Sequence, residues 1–229
     1  MKYKKVIRAN FIERINRFIA EVEINGIIEK VHVKNTGRCK ELLLPNVLVT
    51  LEESENPKRK TKYSLIGVVK NSNWINIDSQ APNVVALEAI KNQKIMELGK
   101  VNLIKREVTH GDSRFDLYYE KDNERGFIEV KGVTLEHDGV AMFPDAPTVR
   151  GTKHVLELIK SLKQGYKSKL LFVLQMKGCH TFKPNRAMDK AFAEALIEAA
   201  NQGVEILAYD SIVKEDELLI DQPVKIDLS

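Results

Sequence analysis

Two stretches decide the C-terminal fold: Ser113-Arg114-Phe115-Asp116-Leu117-Tyr118-Tyr119-Glu120 and Gly126-Phe127-Ile128-Glu129-Val130-Lys131-Gly132. Both have the period-two alternation that predicts a strand, and the polar segment between them predicts a turn. If the hairpin closes symmetrically at Asp122-Asn123, Asp116 lies opposite Glu129, and Lys131 shares their face. The register therefore predicts that two carboxylates and one ammonium group converge.

This convergence suggests a metal site. Two adjacent carboxylates repel each other and raise the pKa of one of them unless a cation lies between them. Mg²⁺ or Mn²⁺ is the cation we expect, since Mg²⁺ binds one or two carboxylates together with water and phosphate oxygens. We predict Asp116 and Glu129 as catalytic metal ligands and Lys131 as the group that stabilises developing phosphate charge. An ion-pair cluster without catalytic role is the alternative.

Strand and helix patterns continue around this hairpin. Strands are predicted over 101–108, 113–120, 126–135, 169–176 and 204–209, and helices over 84–96, 152–162 and 187–201. Gly203 is expected to end the last helix. This alternation predicts an α/β domain with one central sheet over residues 82–229.

The first third of the chain has a different pattern. Short strands are predicted over 18–24, 27–33, 47–51, 64–70 and 74–78, and Asn25-Gly26 predicts a tight hairpin between the first two. About five short strands in roughly 70 residues favour a small β-barrel of the OB class, a frequent nucleic-acid binder, over residues 1–81. A structural β-domain without a ligand is the alternative.

The basic charge is concentrated in that first third. Residues 1–80 hold 15 Lys and Arg against 9 Asp and Glu, a net charge of +6, whereas residues 81–229 have a net charge of −2. Such an excess predicts a surface that attracts phosphates, or merely a soluble one.

Three groups of residues are the candidates for contacting DNA. The first is the basic loop with its aromatic ring, together with a second ring for stacking: Lys58, Arg59, Lys60, Lys62, Tyr63 and Phe18. The second is a loop that would donate hydrogen bonds to a phosphate: Asn35, Thr36 and Arg38. The third is the polar face of the helix predicted over 152–162 and its entry: Arg150, Lys153 and His154, with Glu157 beside them. We expect this third group to point at the metal site and to carry phosphate charge. For each group the alternative is an ordinary solvated turn or helix face.

Several classes of protein are excluded by what the sequence lacks. The two cysteines, Cys39 and Cys179, form neither a disulfide framework nor a zinc-binding spacing. No phosphate-binding glycine loop, nucleophile elbow or zinc-binding HExxH helix is present. No secretory signal and no apolar run of membrane-spanning length occurs. We expect a cytoplasmic protein with no organic cofactor and no membrane partner; its oligomeric state is open, with a homodimer as one possibility.

The chain resembles the sugar fermentation stimulation protein A family almost from end to end. The matching segments are Arg17-Phe18 with Ala20, Asn35-Thr36-Gly37, Asn56-Pro57-x-Arg59-Lys60, Pro82-Asn83 with Glu88-Ala89, Arg106-Glu107-Val108, Ser113-Arg114-x-Asp116, Glu129-Val130-Lys131-x-Val133-Thr134-Leu135 and Phe143-Pro144-Asp145-Ala146-Pro147-Thr148-x-Arg150-Gly151-x-Lys153-His154. Lys34 departs from the family, where a proline is expected.

The family resemblance implies a fold and a function for this chain. It implies an N-terminal OB-like barrel and a C-terminal mixed-sheet domain similar to PD-(D/E)xK nucleases, with helices flanking the sheet. It implies DNA binding, with Arg17 among the contacts, and a regulatory role in sugar (maltose) metabolism. We expect binding with little sequence specificity, because nothing in the sequence resembles a helix-turn-helix reader. Glu88 would match the additional acidic catalytic residue of those nucleases, and a Mg²⁺- or Mn²⁺-dependent nuclease is the alternative function. A nuclease-like core can also be kept for binding alone.

Overall fold

The N-terminal third forms a closed barrel. In the computed structural model, which describes residues 1–35 and 37–229, its strands are β1 (Val6–Arg14), β2 (Ile19–Ile24), β3 (Ile27–Val33), β4 (Leu48–Glu53), β5 (Tyr63–Lys70) and β6 (Asn73–Asn76). They follow the order β3-β2-β1-β4-β5-β6, and a short parallel pairing joins β3 to β5. This pairing closes β1 to β5 into a five-stranded barrel, which confirms the predicted OB-like architecture.

The predicted hairpin at Asn25-Gly26 is confirmed. Both residues have positive φ angles, 51° and 81°, as a two-residue turn between antiparallel strands requires. Ala20 and Val22 of β2 are fully buried, whereas Glu21 and Glu23 lie on its outer face. The alternation in the sequence therefore sets which side of the strand faces the barrel core.

Strand β1 was not predicted from the sequence. Only Ala9 and Phe11 of its nine residues are buried, and the apolar residues Val6 and Ile12 do not follow their alternation. The strand pairs with β2 on one side and β4 on the other, so it is central to the barrel. Its pairing partners, rather than a strong apolar alternation of its own, define it.

The C-terminal part contains ten strands in two sheets. They are β7 (Leu103–His110), β8 (Ser113–Lys121), β9 (Glu124–Val133), β10 (Leu135–His137), β11 (Val140–Phe143), β12 (Lys167–Leu174), β13 (Thr181–Pro184), β14 (Glu205–Lys214), β15 (Glu217–Pro223) and β16 (Lys225–Ile226). The larger sheet has the order β15-β14-β12-β9-β8-β7, with β12 parallel to β9 and β14 and the other pairs antiparallel. This sheet is the mixed sheet that the family resemblance implies.

A second, smaller sheet differs from the expectation of one central sheet. Its order is β10-β11-β13-β16, and its strands have only two to four residues each. Strands this short give almost no periodic signal, so the sequence did not indicate them. The sheet matters for the site because β11 leads directly into the segment that precedes the second helix.

Three helices pack on the larger sheet. They are α1 (Ala81–Lys91), α2 (Val149–Lys163) and α3 (Lys190–Gln202). Val85 of α1 packs with Ile128 and Val130 on one face, whereas Leu158 of α2 packs with Phe127 on the other. The sheet is therefore covered on both sides, and the strand that carries Glu129 lies in the middle.

Capping residues account for where α2 and α3 begin and where α3 ends. Thr148 and Asp189 cap α2 and α3, since their side-chain oxygens accept hydrogen bonds from Gly151 and Phe192. Gly203 ends α3 with a φ of 101°, as predicted. Helix α1 begins earlier and ends earlier than predicted, at Ala81 and Lys91. Among the described residues, no helix is both long enough and apolar enough to cross a bilayer.

Candidate functional site

The predicted register of the β8–β9 hairpin is confirmed. Leu117 pairs with Ile128 and Lys121 with Glu124, so the hairpin closes symmetrically at Asp122-Asn123. The regular pairing ends at Leu117 and Ile128. One position further, the carboxylate of Asp116 accepts a hydrogen bond of 2.8 Å from the backbone N–H of Val130.

An irregularity in the sheet sets the position of Asp116. On the other side of β8, the pairing with β7 keeps its register from Arg106–Leu117 to Val108–Phe115 but omits the pair Glu107–Asp116 between them, and Glu107 has a φ of 55°. Phe115 packs in the core on the α2 side, whereas Leu117 packs on the α1 side. The alternation of β8 is thus interrupted at Asp116, and such irregularities redirect side chains next to functional sites.

Asp116 is held from two directions. Its Oδ1 accepts a hydrogen bond of 2.7 Å from Asn83 of α1, and its Oδ2 accepts the one from Val130. Burial raises the pKa of the Asp116 carboxyl, and the negative charge of Glu129 raises it further, against the effect of these hydrogen bonds. The two carboxylates are therefore close enough to repel each other.

Glu129 is almost completely buried, with 2% of its surface exposed. Its Oε1 accepts a hydrogen bond of 2.6 Å from the ammonium group of Lys131 and another from Nδ1 of His154. Burial alone would raise the pKa of Glu129, but the hydrogen bond from His154 and the charge of Lys131 outweigh it and hold the pKa below its usual value.

The second oxygen of Glu129 has no such support. Oε2 is buried and has no hydrogen-bond partner among the described residues. A buried polar atom without a partner costs about 1–3 kcal/mol, and more when it is charged. An unsatisfied oxygen of this kind in a carboxylate pair indicates a place for a positive group.

The residues present fit a hard divalent cation. Glu129 keeps its Oε2 unsatisfied, and the charge of Glu129 acts on Asp116, whose oxygens each have one donor and so retain accepting capacity. Within residues 1–35 and 37–229, no group of three or more His, Cys, Asp and Glu is arranged as a metal cage. A cation held by two carboxylates, with water and phosphate oxygens for the rest of its shell, is the Mg²⁺ or Mn²⁺ mode.

Glu88, the third predicted acid, lies in different surroundings. Its carboxylate accepts a hydrogen bond of 2.5 Å from the amino group of Met1, and its side chain is 45% exposed. Its support of the site stays a prediction, whereas Asn83, five residues earlier on α1, is the residue that reaches Asp116.

The residues on the predicted polar face of α2 differ in their exposure to solvent. Arg150 and Lys153 are exposed, and Lys153 donates to the backbone carbonyl of Asp112 at 3.1 Å. His154 and Glu157 are buried, at 8% and 7% exposure. The alternative of a solvated helix face does not hold for these two residues, because α2 docks with this side against the β8–β9 hairpin. His154 points at Glu129, in the direction expected for this group. We refer to Asp116, Glu129, Lys131 and His154 as the carboxylate site.

A basic pocket lies on the barrel. It has a volume of about 440 Å³ and is lined by Arg14, Asn16, Arg17, Gly37, Arg38, Lys40 and Leu43. The guanidinium of Arg17 lies 5.6 Å from the centre of the Phe18 ring, and that ring is half exposed. Arg17, Phe18 and Arg38, all predicted to contact DNA, are thus at or beside one concave surface.

Arg14, which sequence reasoning missed, organises this basic pocket. Its guanidinium donates to five backbone carbonyls, those of Asn16 at 3.3 Å, Arg17 at 2.7 Å, Asn35 at 2.6 Å, Gly37 at 2.7 Å and Arg38 at 2.9 Å. It therefore joins the two loops that carry the exposed cations. Lys40 was also missed, although it follows Arg38 closely in the same basic stretch.

Asn35 serves the loop rather than a ligand. Its side-chain amide donates to the carbonyl of Ile77 at 3.0 Å, and its oxygen accepts from the N–H of Gly37 at 2.7 Å. The predicted donation from this amide to a phosphate is therefore replaced by a bond inside the protein. Thr36 lies outside the described residues, so its predicted role stays a prediction.

The loop with Lys58, Arg59, Lys60, Lys62 and Tyr63 forms a separate basic region. Arg59 donates to the hydroxyls of Ser64 at 3.0 Å and Thr61 at 3.2 Å. The ammonium group of Lys62 lies 5.0 Å from the centre of the Tyr63 ring. Lys58 and Lys60 are exposed, and DNA contact by this loop stays a prediction.

The basic pocket borders the C-terminal unit. A side chain at Gly37 would collide with the carboxylate of Asp145, which precedes α2. Helix α2 in turn carries His154 to Glu129. The barrel loop and the segment leading to the carboxylate site are therefore in direct contact.

Comparison with known proteins identifies the family. The family model described as the sugar fermentation stimulation protein RE domain matches residues 80–217, and the SfsA N-terminal OB domain matches residues 12–77. The chain belongs to the sugar fermentation stimulation protein (SfsA) family. The family resemblance seen in the sequence is confirmed.

Relatives of this family align over their full length. The chain is 57% identical to a sugar fermentation stimulation protein homolog of Alkaliphilus oremlandii over 99% of both chains, and 53% identical to one of Clostridium novyi, again over 99% of both. Its fold is similar to that of Pyrococcus furiosus SfsA, with a TM-score of 0.91 and 30% identity over 99% of this chain and 98% of the other. The P. furiosus protein was solved in complex with Ca²⁺.

Proposed function

We propose that this SfsA-family protein binds DNA through the basic pocket, by contacts to the phosphate backbone and with little sequence specificity. The observation that supports this most is the composition of the pocket: Arg17, Arg38 and Lys40 bring exposed positive charge, and none of the described residues that line it is acidic. Contacts to phosphates position a protein on DNA but do not read its sequence. A regulatory role in sugar (maltose) metabolism would be exerted through this binding.

The half-exposed Phe18 ring adds a stacking surface at the edge of the basic pocket. Aromatic rings beside a cationic groove stack with unpaired bases of any sequence. Single-stranded DNA is therefore included with duplex DNA as a ligand in the test.

Salt titrations test this proposal. We would measure fluorescence anisotropy of labelled single- and double-stranded DNA of two unrelated sequences, in EDTA, over a series of KCl concentrations. Replacing Arg17, Arg38 and Lys40 together by Ala is expected to weaken binding to both sequences. On duplex DNA, the slope of log affinity against log salt should decrease by about 0.9 for each phosphate that the variant no longer neutralises. Replacing Lys58 and Lys60 by Ala tests the separate basic loop.

The matched control removes three exposed lysines elsewhere, Lys91, Lys94 and Lys100. It lowers the net charge of the protein by the same amount. Equal loss of affinity in control and pocket variants would show that net charge, and not the basic pocket, attracts the DNA.

The second candidate function is metal-dependent hydrolysis of phosphodiesters at the carboxylate site. It is favoured by the buried, unsatisfied Oε2 of Glu129, by the effect of the Glu129 charge on Asp116, and by the P. furiosus relative in complex with Ca²⁺. Asp116 and Glu129 would hold Mg²⁺ or Mn²⁺, which supplies polarisation of the phosphoryl group and a more acidic water when bound. Lys131, hydrogen-bonded to Glu129 and partly exposed, would stabilise charge that develops on the phosphate.

Cleavage assays test the second candidate. Wild-type protein and Asp116→Asn are incubated with labelled linear, circular and single-stranded DNA in Mg²⁺, Mn²⁺ or EDTA. Cleavage that requires the metal and falls at least about a hundredfold in the variant is expected. Asp138→Asn, at a side chain that is 89% exposed, is the control and should cleave like wild type. Salt-sensitive binding with no cleavage by any protein would leave DNA binding alone.

A further inference from the structure

The two oxygens of Glu129 are used unequally. Oε1 takes both available donors, Lys131 and His154, and Oε2 takes none among the described residues. A carboxylate can rotate about its terminal bond and divide two donors between its oxygens. Here both donors lie on the same oxygen, so the other is left entirely free.

The two donors differ in their origin. Lys131 is two residues from Glu129 on the same strand, and its long side chain is flexible. His154 comes from α2, is 8% exposed, and lies six residues after Thr148, which caps the start of that helix. A short ring on a separately anchored element restricts the carboxylate more strongly than a lysine on the same strand.

The second ring nitrogen of His154 also has a polar neighbour. Nε2 of His154 lies 3.4 Å from Nε of Arg150, one helical turn earlier. The ring is thus bounded by Arg150 on one side and by Glu129 on the other. This arrangement leaves Nδ1 as the ring atom that meets Glu129.

We propose that His154 is a positioning residue that holds Oε1 of Glu129 and thereby presents Oε2, together with Asp116, to the divalent cation. The inference rests on the proposed metal site and assigns to His154 a task other than the DNA contact expected from the sequence. Hydrogen bonds that orient a ligating carboxylate typically change metal affinity by 10–100-fold. His154 itself does not touch the metal or the DNA in this role.

Metal binding measured without DNA tests the inference. We would titrate Mn²⁺ into the full chain and follow free Mn²⁺ by electron paramagnetic resonance, for wild type, His154→Ala, His154→Asn and His137→Ala. His154→Ala is expected to bind Mn²⁺ 10–100-fold more weakly. His154→Asn can place an amide N–H near the position of Nδ1 and should recover most of the affinity. His137, whose side chain is 79% exposed, provides the control for removing a histidine.

Thermal unfolding in EDTA separates positioning from folding. A merely structural histidine would lower the melting temperature of His154→Ala and leave the Mn²⁺ affinity of the folded fraction unchanged, which would overturn the inference. If His154→Ala does not fold, His154→Leu and His154→Asn are compared instead, since Leu fills the space of the ring without a donor.

A double-mutant comparison gives a second readout. In a Glu129→Gln background, His154→Ala should cause little further loss of the remaining Mn²⁺ affinity, because the carboxylate that it orients is gone. Equal effects of His154→Ala in both backgrounds would contradict the inference.

The Mn²⁺ titrations also distinguish failure of the proposed metal site from failure of the role proposed for His154. If wild type itself binds no Mn²⁺, the candidate hydrolytic function fails, and the inference fails with it. If wild type binds Mn²⁺ and His154→Ala binds it equally well, the metal site stands and only the role of His154 is refuted.

Discussion

The basic pocket brings exposed cations together, and the carboxylate site brings two carboxylates together beside Lys131, but the two sites are stabilised in opposite ways. In the basic pocket, Arg17, Arg38 and Lys40 remain exposed, and water screens their repulsion. In the carboxylate site, Glu129 is buried and Asp116 is half-buried, and like charges repel more strongly where water is partly excluded. The first arrangement can persist without a ligand at little cost, whereas the second retains an unsatisfied atom.

The two sites also differ in how far the central side chain is hydrogen-bonded. The guanidinium of Arg14 is engaged by five carbonyls, so the scaffold of the basic pocket is complete within the protein. Oε2 of Glu129 has no partner among the described residues, so the carboxylate site is incomplete. A complete scaffold with free charge at its rim suits an exchangeable polyanion, and an incomplete anionic site suits a small cation.

The largest effect is expected from Arg14→Ala, which would break the scaffold of the basic pocket. The five carbonyls would lose a charged donor, and we expect the free energy of unfolding to fall by about 3 kcal/mol. Urea denaturation measures the loss. Arg14→Lys keeps the charge but not the planar donor geometry, so most of the loss should remain.

The neighbouring Arg17 provides the control for this change. It is exposed, and Arg17→Ala should alter stability by no more than about 0.5 kcal/mol. If Arg14→Ala is as harmless as Arg17→Ala, the hydrogen bonds to the two loops do not stabilise the fold.

The hairpin turns of this molecule could be predicted from sequence because their determinants are local. Asn25-Gly26 specifies its own backbone conformation, and the symmetric turn at Asp122-Asn123 places Asp116 beside Glu129. Once the turn is known, the period of two fixes which side chains share a face. The metal-ligand candidates are therefore derived from a few contiguous residues.

Arg14, and the hydrogen bond that the predicted site residue His154 makes to Glu129, could not be derived in the same way because the partners are distant in sequence. The carbonyls that bind Arg14 belong to loops whose meeting depends on closure of the barrel. His154 lies four residues before Leu158 and so borders the apolar stripe of α2, a signal that could have indicated its burial. Its contact with Glu129 follows only from how α2 docks on the sheet.

A smaller effect of opposite sign is expected from Asp116→Asn, which would relieve the repulsion in the carboxylate site. Asn can still accept the N–H of Val130, and Asn83 can turn its amide to meet the new donor. In EDTA at pH 7 we expect the variant to be more stable than wild type, because the amide removes a charge that burial and the repulsion of Glu129 disfavour. Urea denaturation in EDTA checks this, and a loss of stability would show that the carboxylates do not repel.

The pH dependence of that difference is a separate prediction. The pKa of Asp116 is raised in the folded state, so its contribution to stability is complete below the unfolded pKa and is lost as the pH rises through the folded pKa. Glu129, whose pKa is lowered, contributes with the opposite sign, but it is present in both proteins. The advantage of Asp116→Asn should therefore shrink as the pH falls to about 4, which denaturation curves at several pH values would show. An advantage that grows on acidification would contradict the assigned direction.

The smallest effect is expected from Lys40→Gln at the rim of the basic pocket. Lys40 is exposed, so the free energy of unfolding should change by no more than about 0.5 kcal/mol. If its ammonium group contacts one phosphate, the slope of log DNA affinity against log salt should decrease by about 0.9 on duplex DNA, equally for unrelated sequences. Lys100→Gln, at an exposed lysine outside the pocket, should leave the slope unchanged. Because Arg14 joins the loops of the basic pocket within the protein, we expect that each exposed charge at its rim can be removed singly. Each removal should weaken DNA binding and leave the fold unchanged.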